Sequence, residues 1–144
     1  MIIDFHVHTF PEKIAASTVR YLAGKSHTYP YTDGTIPGLI SSMERSGVDL
    51  SVALPVATSP AQVEKVNRSL LRGNIASDYI QAGCTETSRK AATPGIISLA
   101  CMHPEYEGCK EELLFLKSHG FCGIKLHPAY HNMDLSDLRM DNRP

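Results

Sequence analysis

The first eight residues, Met1 to His8 (MIIDFHVH), constrain the fold more than any other stretch. In an extended chain side chains alternate, so Asp4, His6 and His8 are expected on one face and Ile3, Phe5 and Val7 on the other. Thr9, Phe10 and Pro11 follow as a terminator, so the stretch reads as the buried first strand of an α/β domain. Two imidazoles at i, i+2 can direct ring nitrogens at one point beyond the strand end, and borderline cations such as zinc bind such donors. Asp4, one step deeper, is placed to orient a ligating ring or to hold the strand in register. With seven histidines in 144 residues an H-x-H arises by chance about one time in three, so a metal pair and two histidines satisfied in the core both stay open on spacing alone.

The rest of the chain supplies the context. Ile14, Val19, Tyr21 and Leu22 give a helical period over Pro11 to Gly24, closed by the glycine. His27 falls in a Tyr, Pro and Thr-rich stretch with loop composition and reads as a solvated loop residue. Ile36, Leu39, Ile40 and Met43 form an i, i+3, i+4, i+7 stripe between Thr35 and Gly47, the first framework helix. Val48 to Pro55 (VDLSVALP) is apolar on both faces, as a parallel strand covered on both sides requires. Ser59, Pro60 and Gln62 read as a capping box for a helix with the stripe Val63, Val66, Leu70, which Gly73 should break. A short helix around Ile75 to Ala82 and a long polar loop come next. A strand at Ile96 to Met102 ends in His103-Pro104, a helix spans Tyr106 to His119 with Gly120 as its stop, and a fourth strand covers Phe121 to His127.

Strand and helix thus alternate, which implies right-handed βαβ units around a parallel sheet in the order one, two, three, four. Sites in such sheets form at the carboxyl ends of strands. His6, His8, His103, Lys125 and His127 all fall there. Lys125 and His127 share one face of the fourth strand, and Ile124 and Leu126 point to the helix layer. A lysine aimed at an apolar interior needs a partner, such as an anionic substrate group, a carboxylate or a metal-bridging carbamate.

Composition excludes more than it selects. With 42% hydrophobic and 20% charged residues the chain is ordinary for one globular domain, and a formal charge of −1 without a basic stripe gives no reason to expect nucleic acid or an anionic membrane as partner. No apolar run approaches the roughly 20 residues of a membrane span. Cys84, Cys101, Cys109 and Cys122 are widely spaced with no C-x-x-C, and the N-terminus has no secretory pattern, so they are expected to be reduced, buried thiols in a cytoplasmic protein.

Four stretches in order resemble the amidohydrolase superfamily, within it the metal-dependent hydrolases related to aminocarboxymuconate-semialdehyde decarboxylase. They are Ile3-Asp4-Phe5-His6-Val7-His8, Leu54-Pro55-Val56-Ala57, His103-Pro104-Glu105 and Gly123-Ile124-Lys125-Leu126-His127-Pro128. The resemblance implies a (βα)8 TIM barrel of which residues 1–144 form the N-terminal half, a single incomplete domain of about four parallel strands with helices on the outer face. It implies that His6 and His8 bind a divalent metal, zinc being the common one, and that a metal-activated water attacks a small carboxylated or cyclic metabolite; in related decarboxylases the metal assists loss of carbon dioxide. Lys125 lies near the place where some members carboxylate a lysine, but with His127 it is assigned to substrate binding and not to the metal set. The family's strand-five histidine and strand-eight aspartate have no counterpart here, and His131 follows strand four too closely to replace the former. Since three protein ligands plus water are the usual minimum, the chain by itself is expected to be weakly active or inactive. Two other readings stand beside this one. Phosphoesterases that open with Asp-x-His-x-His account for the first motif only, and a non-catalytic half barrel would pair with another copy or with a separate C-terminal half to cover its open edges.

Overall fold

The computed structural model describes residues 1–71, 80–81 and 94–134. Its strands are β1 (Ile3–Val7), β2 (Leu50–Ala53), β3 (Ile80–Gln81), β4 (Gly95–Ser98), β5 (Ala100–Cys101) and β6 (Ile124–Lys125), and every ladder is parallel. Four of them form one sheet in the order β1-β2-β4-β3, and β5 pairs with β6. The main-chain bonds join the two sets. Leu99 donates its amide to Ala53 (3.0 Å), whereas Ala100 and Met102 donate to Gly123 (3.0 Å) and Lys125 (3.4 Å) on the opposite side. Residues 95–102 thus link the two sets, with β2 on one flank and β3 and then β6 on the other, so β3 is a strand that the expected order one, two, three, four did not contain. The fold is a mixed α/β arrangement of parallel strands in open sheets.

Ile80–Gln81 corrects one expectation, because it pairs with Ile96 and Ile97 as a strand and not as part of a helix. Gly73, the rest of that expected helix, the polar loop up to residue 93 and the tail from 135 lie outside the described residues.

The helices are α1 (Glu12–Ser26), α2 (Ile36–Ser46), α3 (Val63–Leu71), α4 (Cys109–Ser118) and the single turn α5 (Pro128–His131). Helix α1 runs through Gly24 and stops at His27, whose left-handed backbone (φ 53°) forms the C-cap, so His27 has a structural task in place of the loop position expected for it. Thr35 caps α2 by accepting the Gly38 amide at 3.1 Å, and Gly47 at φ 68° closes it. At α3 the cap differs from the expected box. Ser59 makes no side-chain cap bond; the Gln62 carboxamide oxygen reaches back to the Thr58 amide (2.9 Å) and hydroxyl (3.0 Å). Among the described residues no helix is long and apolar enough to cross a membrane.

Two apolar clusters hold the helices to one face of the sheet. Met43 of α2 packs on Ala53 and Ile96 with Val7, Leu39 and Ile40 around them, and Leu116 of α4 and Val63 of α3 pack on Ala100, Cys101 and Met102 with Leu126 beside them. Fully burying a side chain such as Ile96 or Leu116 stabilises by about 1.5–3 kcal/mol. The opposite edge is thinly covered. β1 was expected to be buried, but Phe5 is 70% and Ile3 41% exposed, because β1 is the outermost strand and α2 reaches only as far as Val7.

Between α3 and the sheet lies a polar contact that compensates for a proline. In the two-residue rhythm of the ladder the next donor from β2 to strand 95–102 would be residue 55, and Pro55 has no N–H. The Leu99 carbonyl accepts the Ser98 hydroxyl instead (3.0 Å). Beyond it the Asn67 carboxamide takes over the role of a neighbouring peptide: its Oδ1 accepts the Cys101 amide (2.9 Å) and its Nδ2 donates to the Cys101 carbonyl (3.1 Å) and to Glu112 (2.8 Å). Arg68 clasps the same Glu112 with two bonds of 2.8 and 2.9 Å, and its guanidinium lies over the Phe115 ring.

Candidate functional site

The register of β1 decides where the two histidines point. Asp4 pairs with Ser51 but Val7 pairs with Ala53, so three steps of β1 span two of β2 and an extra residue is accommodated in between. Ser51 and Ala53 share a face, hence Asp4 and Val7 do too, and Val7 packs toward α2. This breaks the simple alternation expected for Asp4, His6 and His8: the register sets Asp4 level with Ser51 and Val7 level with Ala53. The Asp4 carboxylate accepts the His6 amide at 3.1 Å, a local bond that bends the strand at the bulge and leaves ring orientation to other groups. Beyond the bulge His6 and His8 converge, with Nε2 to Nε2 at 3.1 Å.

His8 is open on one side and sunk on the other, where its Nδ1 lies 2.8 Å from the Leu54 carbonyl. A carbonyl only accepts, so Nδ1 carries the hydrogen and Nε2 presents a lone pair. The pKa of His8 is lowered, first by partial burial, then by the positive fields of His6, Lys125 and His127, against the opposing effect of the Leu54 bond. His127 is likewise lowered, first by burial and then by Lys125, against the opposing effect of a bond with its own backbone, with smaller contributions from His131 and His6. Leu126 enters the core cluster, but Ile124, expected beside it on the helix layer, is exposed, and Lys125 pairs laterally with Cys101, itself a member of that cluster, so simple alternation does not describe strand four.

Two more histidines brace this rim. His131 is buried at 3% exposure, donates from Nε2 to the Ala57 carbonyl (2.9 Å) and accepts the His127 amide at Nδ1 (3.3 Å). Its ring lies 4.7 Å from that of buried His103, whose Nδ1 accepts the Glu105 amide (3.2 Å). His103, expected at a strand end, is there but turned into this packing. His131 was overlooked as a brace; the signal was its position four residues beyond His127, one helical turn. Asn67 was overlooked too, although a polar residue four beyond Val63 and three before Leu70 sits in the apolar stripe. Of the cysteines, Cys101 is buried as expected, Cys109 is half-buried and Cys122 is exposed, because it lies ahead of the short β6 and outside the clusters. Cys84 is outside the described residues.

The histidine pair fits two positions of a zinc ion. Two nitrogens each about 2.05 Å from zinc at a near-tetrahedral angle lie about 3.3 Å apart, close to the 3.1 Å found. The His8 hydrogen bond to a backbone carbonyl is the support that metal-bound histidines usually have. Among the described residues no group of three His, Cys, Asp or Glu side chains is placed to hold a metal ion, so these two donors form an open, incomplete set. Comparisons with protein-family models, with curated proteins and with solved structures find no match to this chain.

Proposed function

We propose that residues 1–144 are the front half of an amidohydrolase-type (βα)8 barrel, a metal-dependent hydrolase of a small carboxylated or cyclic metabolite that is weakly active or inactive as this chain. The observation that carries the reading is the convergence of His6 Nε2 and His8 Nε2 at 3.1 Å. The parallel order of strands and the helix layer on the other face are consistent with it. A divalent cation such as zinc, when bound, lowers the pKa of its water toward neutrality and so supplies hydroxide. His6 and His8 offer it lone pairs, and the Leu54 carbonyl fixes the tautomer of His8. Lys125 and His127 bind and orient the substrate. A decarboxylase would use the same residues for holding and orienting, so the choice between hydrolysis and loss of carbon dioxide rests with substrate contacts elsewhere.

The test is a calorimetric zinc titration of the chain and three variants. Wild type should bind weakly, since two histidines leave coordination positions to water, and affinity should fall as the pH drops through the histidine range near 6.5. His6→Ala and His8→Ala should abolish binding, and His27→Ala should not affect it. Equal binding by wild type and His6→Ala would make the pair structural and sink the proposal.

A further inference from the structure

We propose that His6 and His8 form one half of a four-histidine zinc site whose other half is the same pair on a second copy of the chain. The inference rests on the metal role proposed for the pair above and names the partner that completes it. A zinc ion takes four ligands in a near-tetrahedral shell, and two Nε2 atoms 3.1 Å apart suit two of those positions. Among the described residues no third His, Cys, Asp or Glu side chain is placed to join them. The Leu54 carbonyl, 2.8 Å away, takes the hydrogen of His8 at Nδ1, so the Nε2 of His8 presents a lone pair. Both histidines are exposed. Donors this open can be shared with a second chain, which brings two further imidazoles of the same spacing and with the same support.

The surface around the pair suits such a partner. Met1, Ile2, Ile3 and Phe5 are all exposed, so large apolar side chains crowd the strand that carries the histidines and its lead-in. That strand is the outermost of its sheet. The charge at its start is offset, with the N-terminal ammonium 3.7 Å from the Asp49 carboxylate. An exposed apolar stretch next to polar groups marks a contact surface. A twofold axis through the ion sets each pair against its own copy, an isologous contact that uses one patch twice and closes at two chains. The contact does not need the strand ladder to continue, and the extra residue between Asp4 and Val7 disfavours that continuation. Four imidazoles leave no position for water, whereas the two-histidine form keeps positions for water and substrate. Pairing thus regulates the site. When chains outnumber ions the ions are shared and the site is closed; when ions outnumber chains each pair holds its own.

The experiment is sedimentation velocity on the full chain, with zinc sulfate as the probe. In chelator the chain should run as a monomer. At half an equivalent of zinc, one ion per two chains, it should run as a dimer of twice the mass. A large excess of zinc should return it to monomer, because mass action then gives each pair its own ion. His6→Ala and His8→Ala should lose the zinc-dependent dimer, whereas His27→Ala and His119→Ala, exposed positions at the ends of α1 and α4, should form it as wild type does. A dimer in chelator, a dimer undiminished in excess zinc, or a zinc-dependent dimer in His6→Ala overturns the shared ion. A monomer at half an equivalent, with calorimetry showing one weakly held zinc per chain, overturns it too but leaves the proposed function standing. Absence of any zinc binding sinks both. If His8→Ala does not fold, His6→Ala still decides, because His6 is exposed and outside both apolar clusters.

Discussion

Replacing Asn67 by Ala removes the side chain that acts as a peptide group for strand 95–102. Asn67 is fully buried, and its carboxamide pairs with the amide and the carbonyl of Cys101 and with Glu112, itself 3% exposed. Truncation leaves both Cys101 groups buried and unpaired, at about 1–3 kcal/mol each. Glu112 keeps its two bonds from Arg68, so its loss is smaller. The expected cost is about 4 kcal/mol, a large share of the roughly 5–15 kcal/mol that holds a domain together. Urea unfolding followed by circular dichroism reads this directly: at a slope of about 2 kcal/mol per molar the midpoint should fall by about 2 M, with the slope unchanged. Asn67→Asp keeps an acceptor for the Cys101 amide but loses both donors and sets a carboxylate against Glu112, so it should be no better at pH 7. Ser69→Ala, an exposed change on the same helix, should stay within about 0.5 kcal/mol. A loss below about 1 kcal/mol in Asn67→Ala would refute the assignment of Asn67 as a substitute strand.

Two further outcomes follow from the titration behaviour of the site and the thiols. His8 and His127 have lowered pKa values in the fold, so below the ordinary histidine value near 6.5 the unfolded chain binds more protons; their contribution is whole above that pH and is lost as the pH falls through the folded values. The urea midpoint should therefore drop between pH 7.5 and 5.5, by less in His127→Gln, and a midpoint flat over that range would contradict it. Burial pushes the Cys101 thiol up to about 12 and raises Cys109 as well, while Cys122 is exposed. Alkylation mapped by peptide mass should mark Cys122 first, Cys109 more slowly and Cys101 only on unfolding, and early labelling of Cys101 would show that its burial is wrong.

Periodicity revealed α2 and α3, whose apolar stripes the core uses, and β2, apolar on both faces, whereas in α4 Leu116 is buried but Leu113 and Leu114 are exposed. It also brought His6 and His8 together, whose ring nitrogens approach to 3.1 Å. What it could not reveal are features set by single polar contacts. Alternation assumes a regular strand, and the Asp4 bond to the His6 amide breaks that regularity within the motif itself. The roles of Asn67 and His131 depend on partners 34 and 74 residues away, Cys101 and Ala57, which no local pattern encodes. Helix α1 passing Gly24 is a case in which neighbouring helix formers outweigh one glycine, whose cost is only about 1 kcal/mol.

The bulge in β1 has a second consequence, in how copies of the chain meet one another at high concentration. An outermost strand with exposed Ile3 and Phe5 is a template on which other strands can stack, and stacking favours flat, regular edges. Within Met1 to His8 the sole acidic side chain is Asp4, exposed and bound to the His6 amide, so a single charge guards that edge. The second guard is shape: the extra residue between Asp4 and Val7 twists the strand out of the register that a second edge would need. The kink that brings His6 beside His8 is thus also what keeps the most adhesive strand of the chain from propagating into an aggregate.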